Sequence, residues 1–152
     1  MNLTTTVIAF HFIVSVLCPP NIKELDASSA SIRSVAEQLE AKGYSIIQKE
    51  FVIRNAEDQR PLVELDLLVT NPSGQYEVFE ITESLHMDPR TAIVQRPKDY
   101  KQLVGLNALL KGKFRTPFKV SAVKILCLRP QDPAVLRFIQ RTLPSLQFID
   151  QV

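Results

Sequence analysis

Two apolar runs in the middle of the chain each enclose carboxylates. Pro61-Leu62-Val63-Glu64-Leu65-Asp66-Leu67-Leu68-Val69 is followed, after Asn71-Pro72-Ser73-Gly74, by Gln75-Tyr76-Glu77-Val78-Phe79-Glu80-Ile81-Thr82. Asn, Pro, Ser and Gly in succession favour a tight turn. The runs are therefore expected to fold back as an antiparallel hairpin whose facing residue numbers sum to about 145. That register sets Asp66 opposite Phe79 or, with a one-residue bulge, opposite Glu80. Side chains facing each other across such strands lie roughly 5 Å apart. Two carboxylates that close oppose each other's ionisation, and a divalent cation held between them relieves the repulsion. Asp66 and Glu80 are thus the candidate metal-binding pair, with Glu64 placed to accept or orient a water.

The faces of the runs bear on whether those acids are merely solvated. Strand alternation puts Val63, Leu65, Leu67 and Val69 on one face and leaves Glu64 and Asp66 on the other. Leu62 and Leu68 share the acids' face, and Tyr76 and Val78 share that of Glu80. A half-apolar face holding paired acids suggests a covered surface or cleft; open to water, the same acids would be ordinary solvated residues. Outside the hairpin, His86 reads as a loop histidine. No Gly-rich phosphate loop, Ser-His-Asp arrangement or zinc cluster stands out.

The elements that must position these residues fit one domain. The chain has 152 residues, 45% hydrophobic and 22% charged, with a formal charge of +2, as expected for a globular domain with its own core. The domain is read as 1–152 with its core at about 28–143. Basic residues thicken after Arg90: Arg96, Lys98, Lys101, Lys111, Lys113, Arg115, Lys119 and Lys124 follow closely. They form either a solvated helix face and loop or a surface that tracks phosphates. Cys18 and Cys127 make neither a zinc pattern nor a disulfide framework, which points to a reducing, cytoplasmic setting. Val7 to Leu17 is apolar but too short to span a bilayer. It lacks a preceding Lys or Arg and is followed by Pro19 and Pro20, unlike a signal peptide. It is read as an extra strand within 1–20, at a sheet edge or in a homodimer contact, with no membrane association.

Ile32, Val35, Ala36 and Leu39 have helical spacing, and Gly43 is placed to end that helix. Tyr44 to Ile53 reads as a strand, Arg54 to Arg60 as a polar turn and Ser84 to Gln95 as irregular. Pro97 opens a second helix through Leu110, with Leu103, Leu106, Leu109 and Leu110 on its apolar side and Gly112 beyond its end. Phe118 to Leu128 reads as a strand and Ala134 to Leu143 as a third helix. The sum is an α/β fold with a mixed central sheet flanked by helices. The strand after the second helix is expected parallel to the hairpin strand before it, because a helical crossover joins parallel neighbours.

This order, with Glu64-Leu65-Asp66-Leu67-Leu68-Val69 in one strand and Glu77-Val78-Phe79-Glu80-Ile81-Thr82 in the next, resembles the PD-(D/E)XK nuclease superfamily. That group includes restriction endonucleases, archaeal Holliday junction resolvases and Mrr-type enzymes. The resemblance covers roughly residues 28–128 and implies a restriction-endonuclease-like fold, with Asp66 and Glu80 ligating Mg²⁺ or Mn²⁺ and Glu64 as the third residue of the metal site. Two positions depart from the family pattern. Its lysine, which offsets charge developing on phosphorus, is Thr82 here, and a glutamate of the first helix is Ser34, with Glu37 facing solvent and Glu40 at the margin of the buried stripe. Lys98 and Lys101 on the second helix, or Lys124 in the following strand, could supply the missing ammonium, and Gln102 could face the site. The resemblance implies metal-dependent phosphodiester hydrolysis with Asp66, Glu80, Thr82 and Lys101 in the catalytic positions and nucleic acid, foremost DNA, as partner. The alternatives are a catalytically inactive nuclease-fold module for nucleic-acid or protein interaction, and a small secreted or structural α/β protein with a chance acidic pair.

Overall fold

The computed structural model describes residues 12–15, 29–82, 87–88, 93–94 and 97–152, with side chains described over 29–82 and 101–152. In chain order the elements are β1 (Phe12–Ser15), α1 (Ser29–Ala41), β2 (Ser45–Asn55), β3 (Pro61–Thr70), β4 (Tyr76–Thr82), β5 (Met87–Asp88) and β6 (Ile93–Val94). There follow α2 (Pro97–Leu110), β7 (Val120–Cys127), α3 (Pro133–Thr142) and β8 (Gln147–Ile149).

Five strands form a mixed open sheet in the order β2-β3-β4-β7-β8, and β1 adds to its β2 edge. β1 to β4 are mutually antiparallel neighbours. α2 carries the chain from β4 to β7, which lies parallel to β4, and β8 continues the parallel half. This is the α/β arrangement expected from a hairpin followed by a helical crossover. β1 supplies the N-terminal edge strand; the rest of the segment 1–20, with Cys18, and the loop histidine His86 lie outside the described residues.

Both faces of the sheet are covered. On one, Leu103, Leu106 and Leu109 of α2 and Val135 and Ile139 of α3 pack on Leu65, Val78 and Ile125. On the other, Ile32, Val35, Ala36 and Leu39 of α1 pack on Leu67, Phe79 and Ile81. Each large aliphatic side chain so buried contributes about 1.5–3 kcal/mol. α1 ends at Gly43, whose φ of +91° lets Gly43 N–H reach Glu40 O and Tyr44 N–H reach Leu39 O, a Schellman termination that few side chains tolerate. Asp132 caps α3 by accepting from Ala134 N–H.

Three expectations need correction. The segment 84–95, read as irregular, contains the short ribbon β5–β6. β8 went unpredicted because three residues are too few for a period-2 pattern to register. The single apolar face from Val63 to Val69 does not exist: Val63 and Leu65 pack toward α2, whereas Leu67 and Val69 pack toward α1. The alternation changes phase at Asp66. Across in β2, the pairs Phe51–Leu65 and Lys49–Leu67 flank Glu50, a non-glycine residue with φ of +46°. Such a left-handed residue re-aims a strand locally, and it does so level with Asp66.

Candidate functional site

Asn71 sets the register that brings the acids together. Its Oδ1 accepts from Ser73 N–H and Gln75 N–H, and Gly74 takes φ of +83°, so the side chain itself closes the turn. The resulting pairs are Thr70–Tyr76, Val69–Glu77, Leu68–Val78 and Leu67–Phe79. One further step in the same register puts Asp66 level with Glu80. The facing numbers sum to 146 and the β3–β4 ladder contains no bulge, so the expected sum of about 145, which set Asp66 opposite Phe79, is off by one residue.

The ladder stops there, and side chains take over its hydrogen bonds. Ile81 N–H donates to Asp66 Oδ2 at 2.7 Å, so a carboxylate of β3 serves where a backbone carbonyl would otherwise accept. Gln102 of α2 completes the closure. Its Oε1 accepts from Glu64 N–H at 3.1 Å, and its Nε2 donates both to Glu64 O and, at 2.8 Å, to Glu80 Oε2. The side-chain amide thus pairs with the backbone of β3 as a neighbouring strand would, while holding the β4 carboxylate. This reach depends on a close helix–sheet approach at Gly105, where a Cβ would lie 2.8 Å from Leu62 O and 3.1 Å from Val63 Cβ.

Asp66, Glu80 and Thr82 are all 0% exposed. Buried carboxylate oxygens are hard donors of the kind Mg²⁺ takes, commonly one or two carboxylates with waters completing the shell. Glu64 does not join them: between Val63 and Leu65 it projects to the opposite face of the sheet, and among the described residues no group of three His, Cys, Asp or Glu is arranged to hold a metal ion. Asp66 and Glu80 are the residues that could hold a cation, and one oxygen of each already accepts a neutral N–H.

The candidate ammonium donors separate. Lys101 is exposed on α2, next to Gln102. Lys98 sits one helical turn before Gln102, and its side chain lies outside the described residues. Lys124 belongs to the other face. Its strand neighbour is Phe79, its Nζ lies 2.8 Å from Glu77 Oε1 and 5.4 Å from the Phe79 ring centroid. Burial alone would lower the Lys124 pKa, but the hydrogen bond and charge of Glu77 outweigh it and raise the group above its ordinary 10.5. Glu77 in turn accepts from Asn71 Nδ2 at 2.7 Å. This pair was missed in the sequence, although a lysine inside an apolar strand demands a partner and Glu77 was the nearby acid. Ser34, Glu37 and Glu40 are exposed on α1, so the first helix offers no carboxylate at the positions the resemblance marked.

Cys127, the described free cysteine, is buried on the α2 face, and burial, followed by the charge of Asp150, pushes its thiol up to about 11. No helix among the described residues is long and apolar enough to cross a membrane. Comparison of the chain with family models, curated proteins and solved structures found no match in any of the three.

Proposed function

We propose that this chain is a nuclease-like module with a restriction-endonuclease-like arrangement, which binds nucleic acid and hydrolyses it slowly or not at all. The observation that carries this reading is the buried pair Asp66 and Glu80 at the point where β3 and β4 part. Together the two residues would hold Mg²⁺ or Mn²⁺, which when bound polarises a phosphodiester and lowers the pKa of an attacking water. Thr82 stands two residues after Glu80 and brings no positive charge. Lys124 is committed to Glu77 across the sheet, and Lys101 faces solvent. Loss of one such electrostatic contact costs on the order of 10² to 10³ in rate, which is why binding rather than turnover is the favoured role. Lys98, whose side chain lies outside the described residues, is the remaining candidate among the three lysines the resemblance marked.

The test compares wild type, Asp66→Ala and Thr82→Lys for binding and cleavage of duplex and branched DNA with Mg²⁺ or Mn²⁺. Thermal melting serves as the folding control. Wild type should bind without appreciable cleavage, and Thr82→Lys should gain cleavage. Robust wild-type cleavage abolished by Asp66→Ala would overturn the slow-turnover reading and direct attention to Lys98. A folded wild type that binds neither metal nor nucleic acid would overturn the whole assignment.

A further inference from the structure

We infer that the connection 111–119, between α2 and β7, is the surface on which the phosphate backbone of a nucleic acid docks. The inference rests on the nucleic-acid reading above and adds to it the place of contact, at the far end of α2 from Gln102.

Charge distribution is the first ground. From Lys101 to Gln131 the chain carries seven Lys and Arg residues and no Asp or Glu. Four of them, Lys111, Lys113, Arg115 and Lys119, fall within the nine residues of this connection, and all four are exposed. Lys111, Lys113 and Lys119 have no ion-pair partner among the described residues. Lys124, a few residues on, shows the contrast, since it is paired with Glu77. Clustered like charges repel one another and are costly without a polyanion to neutralise them. The carbonyl end of α2 accounts for Lys111 and Lys113, because a helix C-terminus favours cations over its last turn. That field falls off before Arg115 and Lys119.

Order is the second ground. Gly112, with φ of +71°, closes α2 by donating to Leu109 O, and Lys113 N–H donates to Ala108 O. Thr116 Oγ1 donates to Phe118 O. Phe118 is buried against Tyr76, ring centroids 5.4 Å apart, and Ser121 Oγ donates to Tyr76 O. The cations therefore stand on a pinned backbone, which reduces the ordering cost of binding. Lys111 follows Gln102 by nine residues, about 13 Å along the helix axis. Along β4, Tyr76 lies about 13 Å from Glu80. The basic connection thus begins about 13 Å from the acidic pair along both elements, farther than the roughly 8 Å Debye length at physiological salt, so phosphates held there are largely screened from those carboxylates.

The experiment measures fluorescence anisotropy of labelled duplex DNA and duplex RNA between 50 and 200 mM salt. Wild type is compared with Lys111→Glu/Lys113→Glu/Lys119→Glu and with a control of equal charge change on other elements, Arg33→Glu/Lys49→Glu/Arg137→Glu. Thermal melting verifies that each variant folds. Each lost phosphate contact lowers the slope of log K against log salt by about 0.9. The loop variant should therefore lose about 2.7 from the slope and at least tenfold in affinity at 50 mM salt, and the control should lose much less. Comparison of the two duplexes identifies which nucleic acid is held. Wild-type binding left intact by the loop variant, or weakened equally by the control, would overturn this surface while leaving the nucleic-acid reading standing. A wild type that binds neither duplex would sink both.

Discussion

Removing Lys124 isolates the ion pair beneath α1. Its side chain is 22% exposed and that of Glu77 is 8%, between the limits of a buried pair, whose rupture costs 3–5 kcal/mol, and a surface pair worth about 0–1 kcal/mol. Lys124→Met strands a carboxylate that keeps Asn71 Nδ2 as a donor and should cost about 2–3 kcal/mol. Glu77→Gln should cost less, about 1–2 kcal/mol, because the freed ammonium can extend toward water. In the double variant no charge is left stranded, so its loss should fall short of the sum of the singles by at least about 1 kcal/mol. Urea unfolding of all four proteins measures this coupling. A coupling below about 0.3 kcal/mol would refute the pair as a structural unit. The pH dependence gives a second reading. Because the folded pKa of Lys124 is raised above 10.5, its contribution is fully present below that value and is lost as pH rises through the folded pKa. The difference between wild type and Lys124→Met should be flat from neutral pH to about pH 9 and shrink above about pH 10.5.

Gly105→Ala should destabilise by about 1–3 kcal/mol despite the roughly 1 kcal/mol gained in helix propensity, because the new Cβ meets backbone at Leu62 O; equal or higher stability in urea would show that α2 can shift freely. Asp66→Ala leaves Ile81 N–H without its acceptor and should cost about 1–3 kcal/mol, whereas Asp66→Asn retains an acceptor oxygen and should cost less; equal losses would show that the charge rather than the hydrogen bond is what Asp66 contributes to folding. Cys127 titrates from 9.0 in the unfolded chain to about 11 in the fold, so stability should fall as pH rises from 9 toward 11, by as much as about 2 kcal/mol. Cys127→Ala should remove that alkaline loss, and an unchanged pH profile would contradict the burial of the thiol.

Much of this architecture was legible because long periodic segments carry it. The i, i+3, i+4, i+7 stripe of α1, the leucines of α2 and the Asn-Pro-Ser-Gly turn each name their element, and crossover geometry then fixes β7 parallel to β4. The hairpin was legible for the same reason, but its register was not: the turn predicts Asp66 opposite Phe79, and Asn71 closing the turn through its own side chain moves the pairing by one residue. What also failed was the assumption of unbroken alternation. Glu50 in a left-handed conformation carries no sequence signature, being neither glycine nor asparagine, yet it marks the level at which the apolar side chains of β3 change faces. That change is why the β3–β4 ladder gives way to Asp66 and Gln102, bonds that no period in the sequence could have indicated.

The same period-2 logic removes Lys124 as a source of charge for the acids once the strand register is known. In parallel neighbours, paired residues share a face. Glu80 pairs with Ile125 and Phe79 with Lys124, so Lys124 stands on the face of Phe79 and Glu77, with the sheet between it and the carboxylate it would have to assist. A shift of one residue in that register would have reversed the assignment and put an ammonium beside Glu80. In the observed register the ammonium at Lys124 is paired with Glu77, whereas Glu80 accepts from Gln102 Nε2 of α2 and Asp66 from Ile81 N–H of β4. The charge that Lys124 could have supplied is therefore separated from Glu80 by the thickness of the sheet. This separation adds to Thr82 as a ground for the proposal of slow or absent turnover.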